Sequence, residues 1–242
     1  MVTKFQHRIL CGDDYAPTCR DLVFVRAQPS EVCAAVRTWS SFWKMTVGQS
    51  LHESCVSGPL RDVLQSLLPL TAVGQLRLVV PTSSDWCAYF DNGLTGNDAF
   101  SAGKLLSEFA GCDAVMIRAS ERLSAKAEAA GYMPSLGGLG LVYWRAGNEK
   151  RHVILHYESR WEFYERGEPL PFENTEAYRS PRLPDRITFE QVEAAAAWFG
   201  LRPFDEAFYC PAGTSCTLFE RPGVNKWIHR IGWKRQPWPE SA

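Results

Sequence analysis

The sequence has no apolar run long enough to cross a membrane. A membrane-spanning helix needs roughly 18 or more apolar residues in a row, and no segment of the 242 residues approaches that length. The first residues, Met-Val-Thr-Lys-Phe-Gln-His-Arg, also lack the apolar stretch of a secretory signal peptide. We therefore expect a cytoplasmic protein without a membrane partner.

The common nucleotide-binding and catalytic motifs are absent as well. Residues 93–96 (Gly-Leu-Thr-Gly) and 137–140 (Gly-Gly-Leu-Gly) have neither the Gly-Lys-Ser/Thr ending of a phosphate-binding loop nor the spacing of a dinucleotide fingerprint. No Gly-x-Ser-x-Gly elbow is present, and no cysteine stands in a known nucleophile signature. Nucleotide binding and covalent hydrolysis are therefore unsupported, and we expect no cofactor.

The sequence also lacks a charge excess of either sign. Its 26 lysines and arginines nearly cancel its 27 aspartates and glutamates, so no overall field attracts nucleic acid. The one basic segment, residues 226–235, is interleaved with Trp227 and Trp233 and followed by Trp238. Such amphipathic tails usually pack their tryptophans on their own domain while the charges stay in water. A nucleic-acid partner is therefore disfavoured.

Cysteines and histidines are present, but their spacing does not predict a metal site. Without an export signal the eight cysteines are expected to be thiols. The closest pair, Cys210 and Cys216, has no nearby histidine pair to complete a zinc site. His152 and His156 lie in a predicted strand, which separates them by about 13 Å, too far to bind one ion directly.

Strand and helix patterns alternate along the chain and predict an α+β protein, with mixed or antiparallel sheets and flanking helices. Helices are predicted to begin near Pro29, Pro59, Asp98 and Thr188, the last with a capping box to Gln191. Alternating or β-branched runs predict strands at 22–25, 42–47, 76–80, 86–90, 114–117, 141–144, 152–157 and 161–164. Residues 120–139 are interpreted as a short helix or connector, and residues 203–242 as irregular.

The strand–helix–strand order occurs twice, around residues 22–47 and 76–117, and suggests two related α+β units. The corresponding division is an N-terminal unit, 1–55, and a main unit, 56–242, although a single domain over 1–242 is equally open. Within the hairpin predicted at 76–93, Trp86, Ala88 and Phe90 alternate with Cys87 and Tyr89, and one of the two faces is expected to be core.

Two segments are candidates for recognition. The aromatic strand 86–90 ends in Asp91 and Asn92, which either satisfy turn amides or form a recognition loop with Asn97 and Asp98. Further along, paired charges and aromatic residues have the composition of interface hot spots, with core packing as the alternative. The candidates in this second group are Arg160, Trp161, Glu162, Tyr164, Phe172 and Glu173.

These two segments also carry a family resemblance. The order Trp-x-x-Tyr-Phe-Asp-Asn-Gly, helix, Ala-Val-Met-Ile and Trp-Glu-Phe-Tyr-Glu-Arg-Gly-Glu-Pro resembles uncharacterised bacterial α+β proteins encoded beside polymorphic toxins as immunity proteins. The likeness covers about residues 76–200. It implies a non-enzymatic protein that binds a cognate toxin and covers its active site, with no substrate or cofactor of its own.

Two other functions remain open from the sequence. His156, Glu158 and Arg160 alternate on one face of a predicted strand, so an enzyme could use them with Asp91 and Asn92 as a polar acid–base site. The solvated face of a sheet is the simpler interpretation of the same alternation. A third possibility is a subunit that acts only as a homo-oligomer.

Overall fold

One antiparallel sheet of nine strands organises the described part of the chain. The computed structural model describes residues 8–47, 51–71, 75–93, 98–122, 136–157 and 160–221. The strands are β1 (Asp21–Val25), β2 (His52–Val56), β3 (Leu76–Pro81), β4 (Cys87–Asp91), β5 (Asp113–Arg122), β6 (Leu136–Arg145), β7 (Asn148–Tyr157), β8 (Trp161–Gly167) and β9 (Cys216–Glu220). They are hydrogen-bonded in the order β2-β9-β3-β4-β1-β5-β6-β7-β8.

Four α-helices in the described residues flank the sheet: α1 (Pro29–Val47), α2 (Leu60–Gln65), α3 (Ala99–Ala110) and α4 (Phe189–Trp198). Helix α4 begins with the predicted capping box between Thr188 and Gln191, and α3 ends at Gly111 in the left-handed conformation. The predicted α+β class is thereby confirmed. No helix of the described residues is long and apolar enough to span a membrane.

The hairpin β3–β4 and the meander β5–β8 match the sequence patterns that predicted them. Leu78 pairs with Phe90 in the hairpin, and β6, β7 and β8 follow one another as antiparallel neighbours. In the segment interpreted as a connector, β5 continues to residue 122 and β6 begins at residue 136. The rest of that segment, residues 123–135, lies outside the described residues.

Three elements differ from the prediction, and the first is strand β2 (His52–Val56), which the sequence patterns did not predict. Residues 42–47 belong to α1 and do not form a returning strand, because no glycine or proline interrupts the helix between Pro29 and Val47. The region from residue 203 contains strand β9, which inserts between β2 and β3. Strand β1 lies between β4 and β5, so one sheet runs through both of the units considered in the sequence.

Both faces of the central strands are buried. The first face, which carries Trp86 and Phe90, packs against α2 and α4. The second face, which carries Cys87 and Tyr89, packs against α1 and α3. The expectation that one face of the hairpin is core is confirmed, and the other face is core as well, because helices cover the sheet on both sides.

Helical cover ends before the sheet does. On the second face α3 packs mainly against β1, β5 and β6. Beyond it the sheet continues through β7 to the edge strand β8, in which Tyr164–Gly167 are exposed. This uncovered end of the second face is where the candidate site lies.

Candidate functional site

An open groove of about 540 Å³ lies on the second face, between the start of α3 and the edge strand β8. A volume of this size is within the range of ligand-binding clefts, roughly 300–1,000 Å³. The groove is lined by Phe100, Met116, Arg118, His152, Ile154, His156, Glu162, Phe163 and Tyr164.

Strand register brings the central lining residues together. Ile154 of β7 is paired with Tyr164 of β8, and His156 is paired with Glu162. Residues directly opposite each other in an antiparallel pair project to the same side, with their Cβ atoms about 5 Å apart. These four side chains therefore form two adjacent rows across the groove.

Two glycines of β6 shape the floor. Gly138 is paired with His156, and Gly140 with Ile154. A Cβ atom on Gly138 would lie 3.0 Å from Cδ of Arg118, and one on Gly140 would lie 2.3 Å from the carbonyl oxygen of Val153. A side chain is thus excluded at Gly140, and at Gly138 it would have to displace the stem of Arg118, which occupies the space above this glycine.

An aromatic wall borders the groove. His152 meets the ring of Tyr164 edge-on, with 4.7 Å between ring centroids, and the ring of Phe100 lies 5.7 Å from His152. Phe100 also packs edge-on against the buried Trp144. Burial lowers the pKa of His152 below its usual value, so at neutral pH this imidazole is an uncharged member of the wall.

Polar groups line the opposite part of the groove. Nε2 of His156 lies 3.6 Å from Oε2 of Glu162, and Nε of Arg160 donates to Oε1 of the same carboxylate at 3.0 Å. Arg118 donates both Nε and Nη2 to the carboxylate of Asp21, at 2.6 and 2.9 Å. The bidentate pairing with Asp21 holds Arg118 in place. Glu162 and His156 are therefore the polar groups of the groove that can more readily form hydrogen bonds to a ligand.

The structure places the residues of the second candidate segment in different surroundings. Glu162 and Tyr164 line the groove, and Arg160 lies at its border through its bond to Glu162. Trp161 and Phe172 are partly buried against the core of the first face. The alternation of β8 thus divides this segment between the groove and the core.

Glu173 is engaged inside the protein. Its side chain is 1% exposed and accepts hydrogen bonds from Nε and Nη2 of Arg151, from the Leu170 amide and from the hydroxyl of Tyr178. The side chain of Arg151 is equally buried and also donates to Glu165. Glu173 therefore anchors the segment after β8 onto the sheet and offers its carboxylate to no external partner.

Asp91 is a buried structural carboxylate. It accepts hydrogen bonds from the amides of Gly93, at 2.9 Å, and Asp98, at 3.2 Å. Burial raises its pKa to about 6, against the lowering effect of these two bonds and of Arg77. Asp98 occupies the N-cap position of α3 without a side-chain cap bond, so Asp91, and not Asp98, satisfies the amide at the start of that helix.

Asn92 has a similar internal role. Its Oδ1 accepts from the amides of Gln75 and Leu76, and its Nδ2 donates to the carbonyl of Pro69. The side chain is completely buried. Of the predicted recognition loop, Asn97 lies outside the described residues.

The residues of the alternative acid–base site do not converge. Strand β4, which holds Asp91, is separated from β7, which holds His156, by β1, β5 and β6. Four inter-strand spacings correspond to about 19 Å. Glu158 lies outside the described residues, which leaves His156 and Arg160 of that set beside the groove.

Sequence reasoning missed several lining residues, among them Phe100, Met116 and Ile154. Each occupies an apolar position of a helix or strand, and the pattern cannot show which of them stay uncovered. The signal that was present is the alternation of Gly138 and Gly140 in a strand, because glycine within a strand often marks a close approach to a ligand or to another backbone.

Among the described residues, no group of three or more histidine, cysteine or acidic side chains is arranged to hold a metal ion. Comparison of the chain with protein-family models, with curated proteins and with solved structures gives no match.

Proposed function

We propose that this protein acts by binding another protein in the groove between α3 and β8. One observation supports this most strongly. Leaving aside residues 42–47, whose side chains are not described, three large hydrophobic side chains of the described residues are exposed, and two of them, Phe100 at 41% and Tyr164 at 44%, border this groove. Exposed aromatic side chains concentrated at one concave surface are typical of interaction sites.

The chemistry of the groove fits a protein ligand. Met116 and Ile154 supply an apolar floor between the two aromatic side chains, so an apolar side chain of the partner can be buried there. His156, Arg160 and Glu162 supply a polar border that can hydrogen-bond to the partner's main chain or charged groups. An apolar centre with a polar rim is the usual anatomy of a protein interface.

The proposed kind of partner is a cognate toxin that the protein neutralises by occluding it. This finer proposal rests on the resemblance to immunity proteins, since a protein of that kind needs a recognition surface and no chemistry of its own. The groove supplies such a surface and includes Glu162 and Tyr164 from the segment that carries the resemblance.

The test uses purified protein as bait in extracts of the source organism. We expect a partner that binds the parent and binds Tyr164→Ala at least about 30-fold more weakly, which corresponds to a hot-spot loss of about 2 kcal/mol. Phe100→Ala should weaken binding in the same direction.

Trp198→Ala is the matched control, because Trp198 is the third exposed large aromatic residue, at 51%, and lies outside the groove. All three variants must first show the parent's circular dichroism. A partner that binds Tyr164→Ala and Phe100→Ala as tightly as the parent would place the interface elsewhere.

A second candidate function is acid–base catalysis in the same groove. The specific observation is the pairing of His156 with Glu162, a carboxylate within 3.6 Å of an imidazole on an accessible surface. An enzyme of this kind would lose turnover of its substrate in His156→Gln and keep it in Trp198→Ala. Turnover that survives in His156→Gln would remove this candidate.

A further inference from the structure

Two cysteines on the far side of the sheet from the groove lie in direct contact. Sγ of Cys210 is 3.6 Å from Sγ of Cys216, and both are free thiols. Cys210 is partly exposed, whereas Cys216 is buried at the start of β9. One thiol of the pair is thus accessible from solvent and the other is held behind it.

Backbone contacts on both sides hold the two thiols in place. The amide of Cys210 donates to the carbonyl of Pro81 at 3.0 Å, and Cys216 is paired with Val56 of β2. Between them, the amide of Thr214 donates to the carbonyl of Pro211 and closes a turn. The contact between the sulfur atoms is therefore built by the sheet and the turn together.

The conformation of Cys210 also points to a specific role. Its φ angle is +52°, in the left-handed region that residues with a side chain rarely adopt. Such outliers persist where the surrounding structure enforces them, and they concentrate at functional sites. Here the outlier accompanies the contact between the two sulfur atoms.

We propose that Cys210 and Cys216 are a site of reversible oxidation, at which the two thiols form an intramolecular disulfide with a small disulfide such as oxidised glutathione as the oxidant. The sulfur atoms must approach from 3.6 Å to the bonding distance of about 2.05 Å, a movement that the turn between them can absorb.

The reaction divides the roles between the two cysteines. The Cys210 thiolate attacks one sulfur of oxidised glutathione, forming a mixed disulfide and releasing one glutathione thiolate. The Cys216 thiolate then displaces the second glutathione from Cys210, and the two protons of the thiols pass to the glutathione thiolates. The protein loses two electrons and two protons, and one oxidised glutathione becomes two reduced molecules.

Electrostatics agree with this order of attack. The hydrogen bond from Cys216 lowers the pKa of the Cys210 thiol, and the same contact together with burial raises the pKa of Cys216. The accessible thiol is therefore the one that ionises first, as an attacking cysteine requires.

The experiment incubates the folded protein with glutathione buffers of increasing oxidised fraction, quenches with acid, blocks free thiols and maps the peptides by mass. We expect one peptide in which Cys210 and Cys216 are linked, with the loss of two hydrogen atoms. Cys216→Ser should instead carry glutathione on Cys210, because the second displacement is removed. Cys55, which is exposed, is the reference thiol, and Cys55→Ser should leave the linked peptide unchanged.

Repeating the equilibration in urea, which unfolds the protein, measures how much the folded structure increases the equilibrium constant for the Cys210–Cys216 disulfide. We expect the equilibrium constant for the link to be at least about tenfold larger in the folded protein, because the sheet holds the thiols together. The proposal is overturned if Cys210 and Cys216 remain thiols in buffers that add glutathione to Cys55, if Cys210 in the parent keeps glutathione without linking, or if unfolding does not lower the equilibrium constant.

Discussion

The imidazole of His152 and the ring of Tyr164 meet edge-on at 4.7 Å, joining β7 to the edge strand β8 beside the groove. Residue 152 is paired with residue 166, so the two rings are diagonal neighbours on the second face. The contact holds Tyr164 against the aromatic wall although 44% of that residue is exposed. Oε2 of Glu149 lies 3.5 Å from Nδ1 of His152, but burial outweighs this carboxylate and lowers the pKa of His152.

The first prediction concerns the protonation of His152. Burial lowers its pKa in the folded protein below the ordinary value of 6.5, so the folded state binds this proton less readily than the unfolded state. Its contribution to stability is present above pH 6.5 and is lost as the pH falls below that value. Relative to His152→Phe, which cannot titrate, the parent should lose unfolding free energy between pH 7 and pH 5, measured by urea denaturation. If the difference in unfolding free energy between the parent and His152→Phe is the same at pH 7 and pH 5, the pKa of His152 is not lowered in the folded protein.

The second prediction concerns Trp86 of the central hairpin. Trp86 is 2% exposed and packs edge-on against Phe199. Trp86→Ala should lower the unfolding free energy by about 3–5 kcal/mol, because it removes a large buried side chain and leaves a cavity. Trp198→Ala, which removes an exposed tryptophan, should cost far less. Equal denaturation midpoints for Trp86→Ala and the parent would contradict the burial of this residue.

The third prediction concerns the buried ion pair of Arg151 and Glu173. Glu173→Gln removes the buried counter-charge of the Arg151 guanidinium, which keeps the half-exposed carboxylate of Glu165 and two backbone carbonyls, and should cost about 3 kcal/mol of unfolding free energy. Glu168→Gln provides the control, because Glu168 is exposed, and its effect should be close to zero. If both variants unfold at the same denaturant concentration, the buried network does not anchor the segment after β8.

The fourth prediction concerns Asp91. Its pKa of about 6 in the folded protein lies above the ordinary value of 3.8, so the folded state binds this proton more readily than the unfolded state. The stability that follows is present below pH 4 and is lost as the pH rises through 6. Relative to Asp91→Asn, the parent should therefore lose about 2 kcal/mol of unfolding free energy between pH 4 and pH 7.

The control for that comparison is Asp85→Asn, because Asp85 is an exposed aspartate and its side chain pairs with Arg26 at the surface. A difference between parent and Asp91→Asn that stays flat, or that rises with pH, would mean that Asp91 is ionised and well compensated in the folded protein.

Sequence patterns predicted the elements whose formation depends on residues close together in the sequence. The capping box of Thr188 and Gln191 starts α4 as expected, and the aromatic run through Trp86 becomes a strand of a hairpin. Strands β2 and β9 escaped prediction because they are defined by pairing between segments that are distant in sequence, β2 with β9 and β9 with β3. Residues 42–47 have a strand-like composition, but in the structure they continue helix α1.

The candidate site was predictable only in part. Glu162 and Tyr164 were selected for their composition, and both line the groove. Phe100 lies in the helix that was predicted to begin near Asp98, but its 41% exposure depends on where α3 ceases to cover the sheet. For Asp91 the sequence left two alternatives, a turn-amide acceptor or part of a recognition loop, and in the structure it accepts from the backbone of its own turn.

The groove proposal is tested most directly by a photo-crosslinking residue placed at its border. p-Benzoylphenylalanine at position 164 keeps an aromatic ring in the place of Tyr164, and the same residue at position 198 replaces the exposed Trp198 as control. Illumination of cells of the source organism should join the position-164 protein to one discrete partner and leave the position-198 protein uncrosslinked. A partner captured from position 198 and not from position 164 would contradict the assignment of this groove as the binding surface.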